Sequence, residues 1–336
     1  MTGARPTFLV TGGAGFVGSH VVLALLEADA KIVVIDNLST GHRAAVPDGV
    51  RLMVADVTDG SAIRAIVGAE RFDAILHFAS LSLVGESMAQ PFRYVRENLL
   101  GALNLIEAAV AGGVPKFVLS STANLFADAG MAPIPETATI NPGSPYGESK
   151  AMIERALYWA DRLHGLRTAC LRYFNAAGAD PAGRAGEDHR PETHLIPAAI
   201  DAALGRRESL NVFGTDYDTG DGTCIRDYVH VTDIAAAHLA VLDLLDQRSV
   251  TLNIGTGRGA SVREVLAAVG DITGRAVPTV TAGRRAGDPA CLIADGTRLA
   301  ELTPWRPRFS DLETIVKTAF TWREAHPSGY QEVVLF

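Results

Sequence analysis

The stretch Thr7-Phe8-Leu9-Val10-Thr11-Gly12-Gly13-Ala14-Gly15-Phe16-Val17-Gly18 begins as a short apolar run and breaks into closely spaced glycines. Thr7 to Thr11 reads as a buried strand, and Ser19 to Ala28 beyond the glycines has helical periodicity. Strand, glycine turn and helix in that order form the setting in which glycines bind a dinucleotide. The glycines permit a tight turn and close backbone approach, and the helix N-terminus faces the pyrophosphate. The spacing is G-x-x-G-x-x-G rather than G-x-G-x-x-G, with the same physical use. A second apolar strand, Lys31 to Ile35, ends at Asp36-Asn37. An acidic residue about 20 positions past the turn suits the adenosine ribose hydroxyls and repels a 2′-phosphate. NAD, rather than NADP, is the expected cofactor.

Alternation continues outward from there. Val50 to Val54 and Ala74 to Phe78 read as strands, and Pro91 to Ala111 as a long helix. Lys116 to Leu119 is a strand leading to Ser120-Ser121-Thr122, a helix runs from near Tyr146 to His164, and Arg167 to Tyr173 is another strand. Strands separated by helices predict an α/β fold with a doubly wound parallel sheet, whose ligands lie beyond the strands' C-terminal ends. Asp36, Asp56, Ser80 and Thr122 all fall just past such ends. After Gly178 the composition changes, and Asp180 to Glu192 is rich in Gly, Pro and charge. Leu195 to Leu204 reads as a helix, Leu210 to Phe213 as a strand and Asp216 to Thr223 as a polar loop. Thr232 to Leu245 is a helix and Thr251 to Ile254 a strand expected to rejoin the large sheet. Ser261 with Glu264, and Ser310 with Glu313, have the pattern of capping boxes. The expected organisation is a nucleotide-binding domain over 1–178, to which 231–258 returns, and a smaller interleaved α/β lobe over 179–230 and 259–336.

Composition sets the outer bounds. A chain of 336 residues with formal charge −8 and scattered basic residues offers no nucleic-acid surface. Cys170, Cys224 and Cys291 are odd in number and far apart, which suggests neither a disulfide framework nor a structural zinc site. No apolar run approaches the roughly 18 residues of a membrane span, and no signal region precedes the first strand. A cytoplasmic protein is expected. Asp188, His189, Glu192 and His194 are metal-ligand types, but their spacing matches no standard site and no metal is expected.

The chemistry points to Ser144-Pro145-Tyr146-Gly147-Glu148-Ser149-Lys150. Tyr146 and Lys150, four apart, share one helix face, and Pro145 suits the first helical position. An ammonium held close to the ring oxygen favours the phenolate. Bringing a tyrosine from its usual pKa near 10 to neutrality takes roughly 3 units, or about 4 kcal/mol. One lysine with a second cation nearby supplies that. Arg284 and Arg285, adjacent in a glycine-bearing loop, suit a diphosphate clamp.

With the glycine turn, Thr122, Tyr146 and Lys150 in place, the chain resembles the extended short-chain dehydrogenase/reductases and, more closely, the UDP-glucose 4-epimerases. The resemblance covers nearly the whole length. It is carried by Gly12 to Gly18, Asp36-Asn37-Leu38, His77-Phe78-Ala79, Val84 to Ser87, Pro145 to Lys150 and Arg172 to Asn175. Gly222-Thr223, Arg226 to His230, Asn253-Ile254-Gly255 and Arg285 with Gly287-Asp288 continue it. It implies a Rossmann-type fold, tightly bound NAD and a UDP-sugar substrate.

Tyr146 is then the base for the sugar's 4-hydroxyl, Thr122 its hydrogen-bonding partner, and Lys150 the holder of the nicotinamide ribose. The same resemblance assigns cofactor contacts to Gly12, Gly15, Phe16, Val17 and Gly18 in the turn. Asp36, Asn37, Leu38, Ser39, Thr40 and Gly41 follow the second strand, with Asp56 and Val57 after the third. Phe78, Ala79, Ser80, Leu81, Ser82, Asn98 and Phe174 complete that group. The UDP anchor would comprise Asn175, His194, Leu195, Asn211, Val212, Phe213, Arg226, Arg285 and Asp288. The family implies a homodimer joined through the helix before Gly112 and the Tyr146 helix.

Departures are local. Ser82 stands where many members have lysine, Phe126-Ala127 replaces Tyr-Gly with Asn124 ahead of it, and His194 replaces an asparagine found in some. Leu292 leaves the tolerance for an N-acetyl sugar open. A 4,6-dehydratase would place Asp-Glu after Thr122, where this chain has Ala123-Asn124. UDP-glucuronate or UDP-xylose 4-epimerisation remains an alternative, as does a non-catalytic NAD-binding regulator.

Overall fold

The computed structural model describes residues 5–127, 130–285 and 288–331. Ala286 and Gly287 of the arginine-bearing loop, and 332–336 of the expected second lobe, lie outside the described residues. The chain opens with β1 (Thr7–Thr11), α1 (Phe16–Glu27), β2 (Lys31–Asp36), β3 (Arg51–Val54), α2 (Gly60–Ala69) and β4 (Ala74–His77). It continues with α3 (Val84–Ala89), α4 (Pro91–Ala111), β5 (Lys116–Thr122), α5 (Pro145–His164), β6 (Arg167–Tyr173) and β7 (Asn175–Ala177). Next come α6 (Leu195–Ala203), β8 (Leu210–Phe213), β9 (Ile225–Arg226), β10 (Tyr228–His230), α7 (Val231–Leu244) and β11 (Val250–Ile254). The last elements are β12 (Ala260–Ser261), α8 (Val262–Thr273), β13 (Thr279–Ala282), β14 (Cys291–Leu292), α9 (Thr297–Leu302) and α10 (Leu312–Ala325).

Seven strands form the central sheet in the order β11-β6-β5-β4-β1-β2-β3. Each neighbouring pair is parallel. This is the doubly wound arrangement expected, and β1 flanked by β2 and β4 marks the switch point where a crevice opens at the strand ends. Alternate residues of each strand serve opposite faces. Val10, Val34, Leu76, Val118 and Leu171 pack under α1 and α7 with Val22, Leu25, Ile234 and Val241. Leu9, Val33, Ile75, Phe117 and Cys170 pack on the other side against Ile63, Leu105, Ile153 and Leu157 of α2, α4 and α5. Burial on both faces is why these strands read as unbroken apolar runs. A separate core joins α6, α8 and α10 through Ile200, Val265, Val269, Ile315 and Val316.

Three local expectations shift. β5 runs three residues further than its apolar run, because Ser120 to Thr122 continue the pairing with β6. The helix after the glycines begins at Phe16 rather than Ser19, since Gly18 lies inside its first turn. The Ser261–Glu264 capping box is formed, but the one expected at Ser310 is not. Asp311 caps α10, accepting from Thr314 N–H at 2.8 Å, while Ser310 Oγ donates to Asp233 Oδ2 at 2.6 Å. No helix among the described residues is long and apolar enough to cross a membrane.

Candidate active site

Two glycines make the crevice what it is. Gly12 has φ +71°, and a Cβ there would lie 2.5 Å from Ala79 N. A Cβ on Gly18 would lie 2.1 Å from Gly12 O, so α1 meets β1 with no side chain between them. Gly15 is the N-cap of α1 and provides no side-chain bond, which leaves the first-turn N–H groups to an outside acceptor. Asp36, at the end of β2, is buried and turned toward this loop. Its carboxylate accepts Ala14 N–H at 3.0 Å and Leu38 N–H at 2.9 Å. Burial raises its pKa, and those two donors oppose the rise. Asn37 Nδ2 donates to Asp56 Oδ2 at 2.9 Å, linking the ends of β2 and β3. Ser39 and Thr40 are exposed beside them, Gly41 lies against Ala14, and Val57 packs on Gly101. A bare glycine turn, an uncapped helix and an acidic residue suit a diphosphate and a diol, the groups a dinucleotide presents.

Across the switch point, Asn98 of α4 spans two elements. Its Oδ1 accepts Leu81 N–H at 2.8 Å, and its Nδ2 donates to Leu81 O and Ser149 Oγ, each at 3.0 Å. The Phe78–Ser82 segment is thereby fastened to α5. Phe78 packs against His238, and Phe174 is buried with Phe126 and Leu292.

Thr122, Tyr146 and Lys150 come together where β5 meets α5. Ser144 caps α5 by accepting Gly147 N–H at 3.1 Å, and Pro145 takes the first position. A Cβ on Gly147 would sit 2.3 Å from Asn124 O, so only glycine lets the helix start approach the turn after β5. That approach sets the Tyr146 phenol beside the Thr122 hydroxyl, which opposes the rise that burial gives the phenol's pKa. All three side chains are buried, at 5%, 8% and 1% exposure in chain order.

The expectation is that the lysine, with a second cation nearby, prepares a phenolate. Burial pushes Tyr146 up to about 12, with Thr122 pulling the other way. Burial likewise pulls Lys150 down to about 7, against the attraction of Glu154. Lys150 Nζ donates to Ser120 O at 2.9 Å and stands 5.9 Å from the Tyr146 ring centroid. Among the described residues Lys150 is the cation held close to the phenol, and the pair is kept dry.

On the far side of the crevice, Arg226 Nη2 donates to Asp288 Oδ1 at 2.6 Å. Arg285 lies 3.9 Å over the Phe213 ring, next to Asn211 and Val212 on β8. Asn175 opens β7, which pairs with β10 beside Arg226. The two-arginine clamp does not form, because Arg284 is tied to Asp216 Oδ1 at 2.8 Å and lies over Tyr217. Arg285 alone keeps its guanidinium on the ring of β8.

His194, just ahead of Leu195 at the start of α6, makes its contacts elsewhere. It bonds Glu187, which also faces His189 Nδ1 at 3.2 Å, and Glu192 stands beside both rings. One donor atom from each of the four lies within 4.8 Å of the rest. Against the cost of burial, the two carboxylates raise His189 to about 10 and raise His194 as well. The carboxyl groups thus favour the charged form of both rings. Glu187 takes the place that spacing gave to Asp188, which instead accepts Tyr330 N–H at 2.9 Å and faces His42.

Sequence reasoning missed the groups that lock this site from behind. Arg172 and Glu154 form a buried two-pronged pair one turn below Lys150. Ser120 Oγ bonds the Tyr173 hydroxyl. Polar residues inside a strand carry no periodic signal that would reveal them. Val84, Met88, Asn124, Phe126, Ser144 and Leu292 line a small cavity beside the triad.

The description of the NAD dependent epimerase/dehydratase family matches residues 8–255. The chain is 45% identical to a UDP-glucose 4-epimerase of Halalkalibacterium halodurans, over 96% of this chain and 97% of the relative. Among solved structures it is similar to a UDP-glucose 4-epimerase with TM-score 0.94 and 44% identity, covering 97% of this chain and 100% of that one. It is also similar to the UDP-glucose 4-epimerase of Brucella ovis in complex with NAD, with TM-score 0.91 and 42% identity over 94% and 98% of the two chains.

Proposed function

The chain belongs to the NAD dependent epimerase/dehydratase family, and from that premise we propose that it interconverts UDP-glucose and UDP-galactose by inverting carbon 4 of the hexose. The observation that carries this is Tyr146, Thr122 and Lys150 buried together where β5 meets α5, with Lys150 Nζ 5.9 Å from the Tyr146 ring centroid. Bound NAD supplies the hydride acceptor for carbon 4 and the donor to the opposite face of the 4-keto sugar. Tyr146 takes the proton of the 4-hydroxyl and returns it after the sugar has turned. Thr122 donates a hydrogen bond to that oxygen, and Lys150 holds the nicotinamide ribose. Arg226, Asp288, Arg285 and the β8 residues anchor the uridine diphosphate while the hexose rotates, with Asn175 and Leu195 on the same path. Residues 1–178 with 231–258 carry the cofactor, and 179–230 with 259–336 carry the sugar nucleotide. The assay is direct: purified protein without added NAD should convert UDP-galactose to UDP-glucose. Bound cofactor with no turnover would instead make it a regulator.

Asp36 supports NAD over NADP. A buried carboxylate a few ångströms from a 2′-phosphate costs several kcal/mol in a partly desolvated site. Stripped protein should therefore regain activity with NAD at least about a hundredfold better than with NADP. Asp36→Ala should narrow that gap, and equal reconstitution of the unaltered chain by both would remove Asp36 from this role.

A homodimer is supported by the apolar surface on α4 and α5. Phe92 and Leu100 on one helix and Met152, Trp159 and Leu163 on the other are exposed, Phe92 at 80% and Leu163 at 69%. Light scattering should give twice the chain mass, and Trp159→Asp with Leu163→Asp should halve it. A wild-type monomer at micromolar concentration would refute the dimer. Free, buried cysteines and a nucleotide-sugar substrate fit a cytoplasmic setting.

A further inference from the structure

The segment between β7 and α6 gathers four side chains that the proposed epimerisation does not use. Spacing excludes a metal when Asp188 is counted with His189, Glu192 and His194. The fold turns Asp188 away, toward Tyr330 N–H and His42, and sets Glu187 in its place. His189 Nδ1 then stands 3.2 Å from Glu187 Oε1 and 3.7 Å from Glu192 Oε2, and His194 Nδ1 stands 3.8 Å from Glu192 Oε1. Nitrogen and oxygen donors around a tetrahedral zinc ion, each at about 2.0–2.2 Å from it, lie about 3.4 Å apart.

Two atoms separate this cluster from a set of ordinary ion pairs. The Glu192 side chain is only 9% exposed, and its Oε1 accepts His194 N–H at 2.9 Å. Its Oε2 is buried and accepts from no donor. His189 Nδ1 is also buried and makes no hydrogen bond, despite its carboxylate neighbours. A buried carboxylate oxygen and a buried ring nitrogen that face each other unbonded are in the state that a Lewis acid between them would relieve.

We propose that Glu187, His189, Glu192 and His194 form a structural site for a divalent transition-metal ion, with zinc as its occupant. Two carboxylates and two neutral imidazoles carry a charge of −2, which such an ion cancels at one point. Two imidazoles favour zinc over magnesium or calcium, which take oxygen donors. Arg323, the cation nearest Glu192 Oε2 at 3.9 Å, is matched by Asp201, to which its Nε donates at 2.9 Å. Arg323 also donates to Glu187 O at 3.2 Å and so steadies a ligand from behind. His194, 52% exposed in its side chain, leaves a way in from solvent. The ring of His189 meets the ring of Phe16 edge-on, with centroids 6.4 Å apart. A bound ion would therefore tie the start of α6 to the segment lying against the glycine turn.

The test uses the full-length protein, stripped with a chelator, dialysed and titrated with zinc against a chromophoric competitor. One zinc per chain should bind with Kd below about 1 μM. At free zinc about a hundredfold above Kd, the melting temperature should rise by about 4 °C. Magnesium at the same concentration should leave it unchanged. His194 gives α6 no side-chain cap, so His194→Ala removes a ligand without uncapping the helix. That variant should bind zinc at least about a hundredfold more weakly. Glu192→Gln, which keeps the side chain's shape, should weaken binding at least about tenfold. Weaker binding by the unaltered chain, a melting rise equally produced by magnesium, or a variant that holds zinc as tightly as the unaltered chain would each overturn the proposal. None of these readouts depends on turnover, so their failure leaves the epimerase reading untouched.

Discussion

Tyr146→Phe should lower turnover by at least about a hundredfold, within the range a positioned acid–base group supplies, while leaving NAD content and fold intact. The variant loses one oxygen and keeps the ring, which is 8% exposed and packed at the start of α5. The loss should appear in turnover and not in substrate affinity, because the residues proposed to hold the diphosphate, Arg226, Arg285 and Asp288, do not include Tyr146. The size of the effect follows from the electrostatics. In the chain alone, burial puts the phenol at about 12 and the ammonium of Lys150 at about 7, so the site is poised for a cationic ring to complete it. A positive charge brought beside the phenol by bound NAD⁺ would lower the phenol's pKa further. Turnover within about threefold of wild type would show that the proton of the 4-hydroxyl leaves by another route.

Arg172→Met should destabilise the protein by about 3–5 kcal/mol, the usual consequence of leaving one member of a buried ion pair without its partner. Arg172 and Glu154 are 5% and 9% exposed, with Nη2 to Oε2 at 2.6 Å and Nε to Oε1 at 2.9 Å. Glu154 also accepts from Ser121 Oγ at 2.6 Å, and Arg172 donates to Glu136 O at 3.1 Å. The pair therefore nails α5 to β5 and β6 one helical turn from Lys150, and its Glu154 carboxylate opposes the fall that burial imposes on the lysine's pKa. Arg172→Met with Glu154→Leu should recover much of the loss, since two apolar groups need no compensation. Urea unfolding of the three variants checks this. A single variant within about 1 kcal/mol of wild type would show that Glu154 finds another cation.

The frame of the molecule was legible because it obeys periodic rules. Strands buried on both faces read as apolar runs, and β1, β6 and β8 have the ends their sequences imply. Tyr146 and Lys150 were legible because a helix turns their spacing into proximity. What escaped was decided by neighbours distant in sequence. Ser120 to Thr122 look like a turn, yet they extend β5 because β6 and α5 supply partners for their hydroxyls. Ser310 has the spacing of a cap, but the buried carboxylate of Asp233 claims it. Asp188 was singled out where Glu187 does the pairing, since an irregular loop gives no rule for which side chain turns inward. Arg284 and Arg285 are adjacent, but Asp216, far back in the chain, takes the first and leaves the second on Phe213.

The central claim is that one carbon gives up a hydride and receives it back inside a closed site. UDP-galactose carrying deuterium at carbon 4, converted by the NAD-bound protein in ordinary water, measures it most directly. The account predicts UDP-glucose with the deuterium still on carbon 4 and none in solvent or in unlabelled NAD added to the mixture. Label lost to water, or handed to free NAD, would contradict it.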